Sequence, residues 1–179
     1  VKERIKSLNQ KVFDYAYNGM RTDFLDIYLS AKCRFFLCSD GGISAPPEIF
    51  KRPMVYVNWP IIQNVSVYVS RGLIIFKKFF LKSENRYMSF SEIMKLEFGG
   101  SDTNEIFSKL NLNLIENTPE EILDVTIEMD ERLNGTWVSC EEDEELQDCF
   151  WALFGPNKLK SPDLRIGANF LRQNKDLLN

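Results

Sequence analysis

The sequence predicts an α/β fold: a Rossmann-like parallel sheet with flanking helices and a helical C-terminal segment. Three observations carry that expectation. Residues 33–38 form an apolar run broken only by Arg34, as in a strand covered on both faces. The run ends in Ser39-Asp40-Gly41-Gly42, a turn in which glycine permits positive φ and close backbone approach to a ligand. Pro46-Pro47 then suits a first helical turn, and residues 54–57 are strand-like again.

Upstream, residues 11–16 read as a short strand and Thr22 as a helix N-cap. The helix carries Phe24, Leu25, Ile27, Tyr28 and Leu29 and stops near Ala31-Lys32. The order β-α-β-α-β is the pattern of a parallel sheet. Between residues 60 and 100 the periodicity is poor. Residues 61–69 are rich in β-branched side chains, and 73–81 are apolar around Lys77 and Lys78. Ser89 opens a helix with Glu92 as capping-box partner, and Gly99-Gly100 closes the unit. So long an irregular connection is more often functional than filler.

Residues 111–116 read as another strand. Thr118-Pro119-Glu120-Glu121 is a helix start, with Ile122, Val125, Met129 and Leu133 at helical spacing and Asn134-Gly135 as the stop. Further helices are predicted over 141–153 and 163–178. With no repeat or linker, residues 1–179 read as one domain, with an irregular segment at 60–100 and C-terminal helices within 118–178.

Composition narrows the chemistry. Histidine is absent, which excludes a Ser-His-Asp triad, a Cys-His dyad, a His-ligated metal or a His base within this chain. The four cysteines (33, 38, 140, 149) lack metal or redox spacing and read as buried thiols of a reducing cytoplasm. No apolar stretch approaches ~20 residues, and Val1 reads as an internal residue of a longer protein. The 14 phenylalanines suggest an aromatic core or groove. Residues 1–82 hold 13 Lys/Arg against 6 Asp/Glu, while 83–179 hold 9 against 20. The first half therefore suits an anionic ligand such as a phosphate. Nucleic acid is a poor fit: the chain is acidic overall and has no basic helix.

Several blocks resemble a family of glycosyltransferases from bacterial surface-polysaccharide biosynthesis. They are residues 21–33 (RTDFLDIYLSAKC), Ser39-Asp40-Gly41-Gly42-Ile43-Ser44, residues 47–58, 117–122 (NTPEEI), 131–135 (ERLNG) and 165–174 (RIGANFLRQN). The resemblance covers almost the whole chain in order. It implies a GT-B enzyme, with two Rossmann-like domains facing across a cleft and the nucleotide-sugar donor held by the C-terminal one. This chain is similar to that C-terminal domain, and the N-terminal, acceptor-facing domain is expected to lie outside it. The resemblance further implies transfer to a surface-glycan or lipid-linked acceptor, without a DxD-bound metal or any cofactor beyond the co-substrate itself. The expected place is the cytoplasm, with peripheral contact at the inner face of the membrane as an alternative. Related transferases place His after a comparable turn; here the residues are Ser44-Ala45-Pro46.

Each candidate donor-binding residue has a structural alternative. The turn Ser39, Asp40, Gly41, Gly42 and Ser44 either holds the diphosphate through N–H groups and the Ser44 hydroxyl, or is an ordinary strand–helix connection. Asp40 bonds a sugar hydroxyl or caps the helix. Glu48 grips ribose hydroxyls or sits solvated near the helix start. Arg21 neutralises the leaving diphosphate or pairs with Asp23. Lys77 and Lys78 do the same, touch an anionic membrane, or guard an edge strand. The acidic run 141–145 reads as a solvated helix end, and Trp59, Trp137 and Trp151 as packing. Arg165 and Arg172, seven apart on the predicted last helix, share a face. No catalytic residue and no metal ligand is assigned. A nucleotide-sugar epimerase of the same fold and a non-catalytic binding or scaffold domain are the rival readings.

Overall fold

A computed structural model describes residues 4–39, 41–64, 72–96, 103–155 and 163–179. Asp40, Gly99, Gly100 and residues 65–69 of the β-branched run lie outside the described residues. Helix α1 (Asp23–Lys32) starts where Thr22 Oγ1 accepts the Leu25 N–H at 3.1 Å, as its N-cap reading predicts. It leads into β1 (Phe36–Cys38), a 3₁₀ turn (Gly42–Ser44), α2 (Ala45–Ile49) and β2 (Met54–Trp59). A 3₁₀ turn (Ile62–Asn64) precedes β3 (Gly72–Phe76), β4 (Lys78–Leu81) and β5 (Arg86–Tyr87). The chain continues through α3 (Phe90–Met94), α4 (Thr103–Lys109), β6 (Leu112–Ile115), α5 (Pro119–Asn134) and α6 (Glu141–Ala152). It closes with β7 (Leu164–Ile166), α7 (Ala168–Gln173) and a 3₁₀ turn (Lys175–Leu178).

Strands β1-β2-β3-β7 form a parallel sheet in that order, flanked by helices, so the fold is α/β and compatible with a Rossmann-like arrangement. Every residue of β3 is buried, which is what a strand covered on both faces requires. Helix α5 packs across β2 and β3. Its predicted boundaries hold. Thr118 and Glu121 form a capping box, Pro119 sits at N1, and Gly135 ends the helix in the left-handed region at φ 72°. The Ser89–Glu92 capping box also forms; Arg86 and then the Ser89 N–H hold the Glu92 carboxyl low, at about 2. The aromatic excess fills the core: Phe76, Phe90, Phe150 and Phe170 come from β3, α3, α6 and α7. Phe76 stacks on Phe150 at 5.4 Å and meets Phe90 edge-on at 6.3 Å.

Several expectations are corrected. β1 is an edge strand with Leu37 exposed, so it is not covered on both faces, and of the cysteines only Cys38 is buried, Cys140 and Cys149 being exposed. Residues 11–16 form turns rather than a strand. Asn9 and Asp14 side chains accept the Lys11 and Ile5 N–H groups, and such local bonds compete with a ladder. The apolar stretch 73–81 divides at Lys77 into β3 and β4, and β4 leaves the parallel sheet. It pairs antiparallel with β5 and with β6, so the irregular segment contributes two strands to a second sheet, β5-β4-β6. The predicted helix over 163–178 opens instead with β7, because Leu164–Ile166 pairs with Gly72–Ile74. The free side of this edge strand is covered by Gln147. Its Oε1 accepts the Ile166 N–H at 3.1 Å and its Nε2 donates to the Ile166 carbonyl at 2.6 Å. Arg165 and Arg172 therefore do not share a helix face: Arg165 pairs with Glu144 and Arg172 with Asp143. The acidic run is correspondingly ion-paired, since Glu142 also meets Lys175.

The glycines also differ from expectation. Gly41 has φ 171°, which is extended backbone, and a Cβ on Gly41 or Gly42 meets nothing within 4 Å, so neither needs glycine's special conformations. Gly167, between β7 and α7, is the constrained one. A Cβ there would lie 2.9 Å from Ile75 Cγ2 and 3.2 Å from Val125 Cγ2. Gly167→Ala is expected to destabilise the fold by about 1–3 kcal/mol in urea titration, as overpacking does. Gly42→Ala should stay within about 0.5 kcal/mol of the parent.

Candidate functional site

In a parallel sheet, ligands collect outside the carboxyl ends of the strands. Here that edge begins at Cys38, which is in register with Tyr56 and, through it, with Ile74. The turn after β1 and Lys77 after β3 therefore stand on one edge, two strand spacings or roughly 10 Å apart. The edge gathers Ser39, Gly41, Gly42, Ser44, Glu48, Lys77 and Lys78. Ser39, Gly41 and Gly42 are exposed. The Ser44 hydroxyl donates to the Gly41 carbonyl at 2.9 Å, which closes the 3₁₀ turn and leaves its oxygen able to accept. Arg21 belongs to the start of α1. It is exposed and pairs with Asp26 at 3.3 Å rather than with Asp23.

Glu48 is oriented by the fold. Tyr56 Oη, on a buried residue of β2, donates to Glu48 Oε1, linking α2 to the sheet. Burial, followed by the neighbouring Glu48 carboxylate, pushes the Tyr56 hydroxyl well above its ordinary range, so it stays a donor. The second carboxylate oxygen of Glu48 retains the capacity to accept a further hydrogen bond.

Two asparagines that sequence reasoning missed organise this edge. β2 carries one extra residue between Tyr56 and Trp59 relative to β3, and Asn58 there adopts φ 54°. The Asn58 N–H donates to Asn117 Oδ1 and the Asn117 N–H donates to Asn58 Oδ1, both at 2.6 Å. Asn117 Nδ2 donates to the Phe76 carbonyl at 2.8 Å. Asn117 thus ties β2 and β3 to the start of α5. The sequence signal was slight: Asn before Trp-Pro, and Asn immediately before a capping box.

The two lysines separate in role. Lys78 Nζ lies 2.8 Å from Glu121 Oε1, and the two side chains are 15% and 5% exposed. Burial pushes the Glu121 carboxyl up, but Lys78, the Thr118 N–H and Asn117 outweigh it and hold it below the ordinary range. The Lys78 charge is balanced within the fold. Lys77 pairs at 3.2 Å with Glu116, whose side chain is 71% exposed, so its ammonium can exchange this carboxylate for an incoming anion. Of the tryptophans, Trp59 meets Tyr56 edge-on, Trp151 packs among Phe150 and Phe154, and Trp137 covers Arg132.

Unlike a doubly wound sheet, the order β1-β2-β3-β7 never reverses, so the described strands make no switch-point crevice. Of 19 exposed large hydrophobic residues among those described, 14 fall within residues 5–50, including Phe13, Met20, Phe24 and Ile49. Exposed apolar side chains are thus concentrated in the N-terminal part of the chain. Among the described residues no helix is long and apolar enough to cross a membrane. No protein family, curated protein or solved structure matches the chain, so its functional reading rests on sequence and geometry.

Asn117→Ala leaves the Asn58 N–H and the Phe76 carbonyl without partners and is expected to cost about 3 kcal/mol in urea titration. For Glu121 the folded-state pKa lies below its ordinary value of 4.5, so the pair's stabilisation is complete above that pH and lost as pH falls through the lower folded value. Lys78→Met should therefore destabilise by about 3 kcal/mol at neutral pH, with a difference that shrinks in acid; a difference independent of pH would refute the pairing.

Proposed function

We propose that this chain is the donor-binding half of a GT-B glycosyltransferase that moves a sugar from a nucleotide-diphosphate donor to a surface-glycan or lipid-linked acceptor without a metal. The observation that carries this reading is the meeting of the Ser39–Ser44 turn, Glu48 and Lys77 on the carboxyl edge of a parallel sheet. In the proposed complex Glu48 accepts from ribose hydroxyls, while the turn's N–H groups and Lys77 face the diphosphate. Their contribution is greatest as the diphosphate leaves and its negative charge grows. Arg21 remains a candidate from the neighbouring helix start, whereas the burial of Lys78 assigns it to holding the edge together. The missing crevice and the apolar face at residues 5–50 support a second α/β half that docks there and closes the cleft. We assign acceptor binding, and any base that deprotonates it, to that half, working in the cytoplasm at the inner membrane face.

Calorimetry with UDP, GDP, ADP and CMP tests the reading. One of the four is expected to bind this chain weakly, with Kd near ~0.1–1 mM, and transferase activity should be absent without the partner half. Gly42→Asp puts a carboxylate into open space and is expected to weaken that binding at least ~10-fold at unchanged thermal midpoint, since a like charge repels the diphosphate. No heat with any of the four nucleotides would sink the proposal.

A further inference from the structure

β1, β2 and β3 advance across the parallel sheet in one direction, and α2 is the crossover helix between β1 and β2. Right-handed crossovers that advance in one direction place their helices on the same face of a sheet. Helix α1 packs beside α2 and leads into β1. It therefore stands where the crossover helix from a strand on the outer side of β1 would stand. That side is open, because among the described strands β1 pairs with β2 alone. The Phe36 N–H donates to the Pro53 carbonyl at 2.9 Å, so the alternation along a strand turns the Leu37 N–H and carbonyl outward.

Loop length identifies the occupant. A strand joins the helix that follows it through about 2–6 residues, so a strand leading into α1 at Asp23 ends near residue 16 or shortly after. Residues 11–16 (KVFDYA) meet that condition. Val12 and Phe13 are 47% and 76% exposed. Short-range bonds hold the segment in its turns: the Val12 N–H donates to the Asn9 carbonyl at 3.0 Å, and the Asn18 N–H to the Asp14 carbonyl at 3.0 Å. The Asn9 and Asp14 side chains add the Lys11 and Ile5 N–H groups. Exposed local bonds of this kind open at little cost.

We infer that residues 11–16 have a second conformation, in which they add to the free edge of β1 as an outer parallel strand. The Leu37 N–H and carbonyl then pair with this segment, and Val12 and Phe13 lie on opposite faces of the extended sheet. Residues 17–22, which include Arg21, become the connection at the carboxyl edge, next to the turn after β1. The pairing follows from topology and does not depend on a nucleotide bound at that edge.

Amide hydrogen exchange and NOEs of the ¹⁵N-labelled chain test the switch. The double variant Asn9→Ala, Asp14→Val removes both side-chain acceptors of the turn form and puts a β-branched residue into the segment. Its Leu37 amide is expected to exchange at least ~10-fold more slowly than in the parent, with NOEs to residues 12–16. Adding Val12→Pro and Phe13→Pro removes ladder donors on both sides of the strand and should restore the parental exchange at Leu37. Protection of the Ile74 amide in β3 reports that each variant stays folded. Unchanged Leu37 exchange in the double variant, or protection that survives the two prolines, would overturn the inference. So would protection that is lost on dilution, since the edge would then belong to a second copy of the chain.

Discussion

The reciprocal pairing of Asn58 and Asn117 is the constraint on which the carboxyl edge of the parallel sheet depends. A strand that ends in a bulge turns its backbone away from its neighbour, and an N–H displaced in this way needs another partner. Asn117 supplies it to Asn58, takes the return bond, and also meets the Phe76 carbonyl at the end of β3. Because Asn117 directly precedes the capping box of α5, the same side chain sets where that helix begins relative to the sheet. β4 departs for the antiparallel sheet one residue beyond Phe76, and the Lys78–Glu121 pair joins that departure to the first turn of α5. The two sheets and the long helix are thus joined by polar contacts, partly or fully buried, at the carboxyl edge of the parallel sheet.

That arrangement explains why the two neighbouring lysines are not equivalent. A lysine whose carboxylate partner is 5% exposed cannot leave without stranding a buried charge, whereas one facing an exposed glutamate can. It also explains why the edge is open. A parallel sheet whose strands advance in one direction offers a ledge rather than a crevice, and the apolar surface of residues 5–50 has no covering among the described elements. The proposed docking of a second α/β half accounts for both features.

Local chemistry was readable from the sequence wherever it was self-contained. Thr22, Ser89 and Thr118 announced three helix starts because a cap and its partner lie within one turn, and the apolar runs around residues 36 and 55 announced two strands; the second is largely buried, whereas the first lies at the sheet edge with Leu37 exposed rather than covered on both faces. The parallel sheet followed from them. What could not be read depends on distant partners. Leu-Arg-Ile at 164–166 fits a helix as well as a strand; β3 on one side and Gln147 on the other decide it. Residues 11–16 have strand-like composition and no strand beside them among the described residues. The split at Lys77 depends on β6, over thirty positions away, as the register of Lys78 with Ile115 shows. At the candidate site, Gly41, Gly42, Glu48 and Lys77 were named from sequence, while Asn58, 59 positions from Asn117, gave almost no signal.

The central claim is that the carboxyl edge beside the Asn58–Asn117 pairing is where this protein meets a nucleotide. Backbone amide shifts of the ¹⁵N-labelled chain, titrated with UDP, GDP, ADP and CMP in turn, test it most directly. The account predicts saturable shifts with one nucleotide at Gly41, Gly42, Ser44, Glu48, Asn58 and Lys77, while Gly72 and Asp163 at the amino edge stay still. Saturable shifts confined to the amino edge, or none with any of the four, would contradict it.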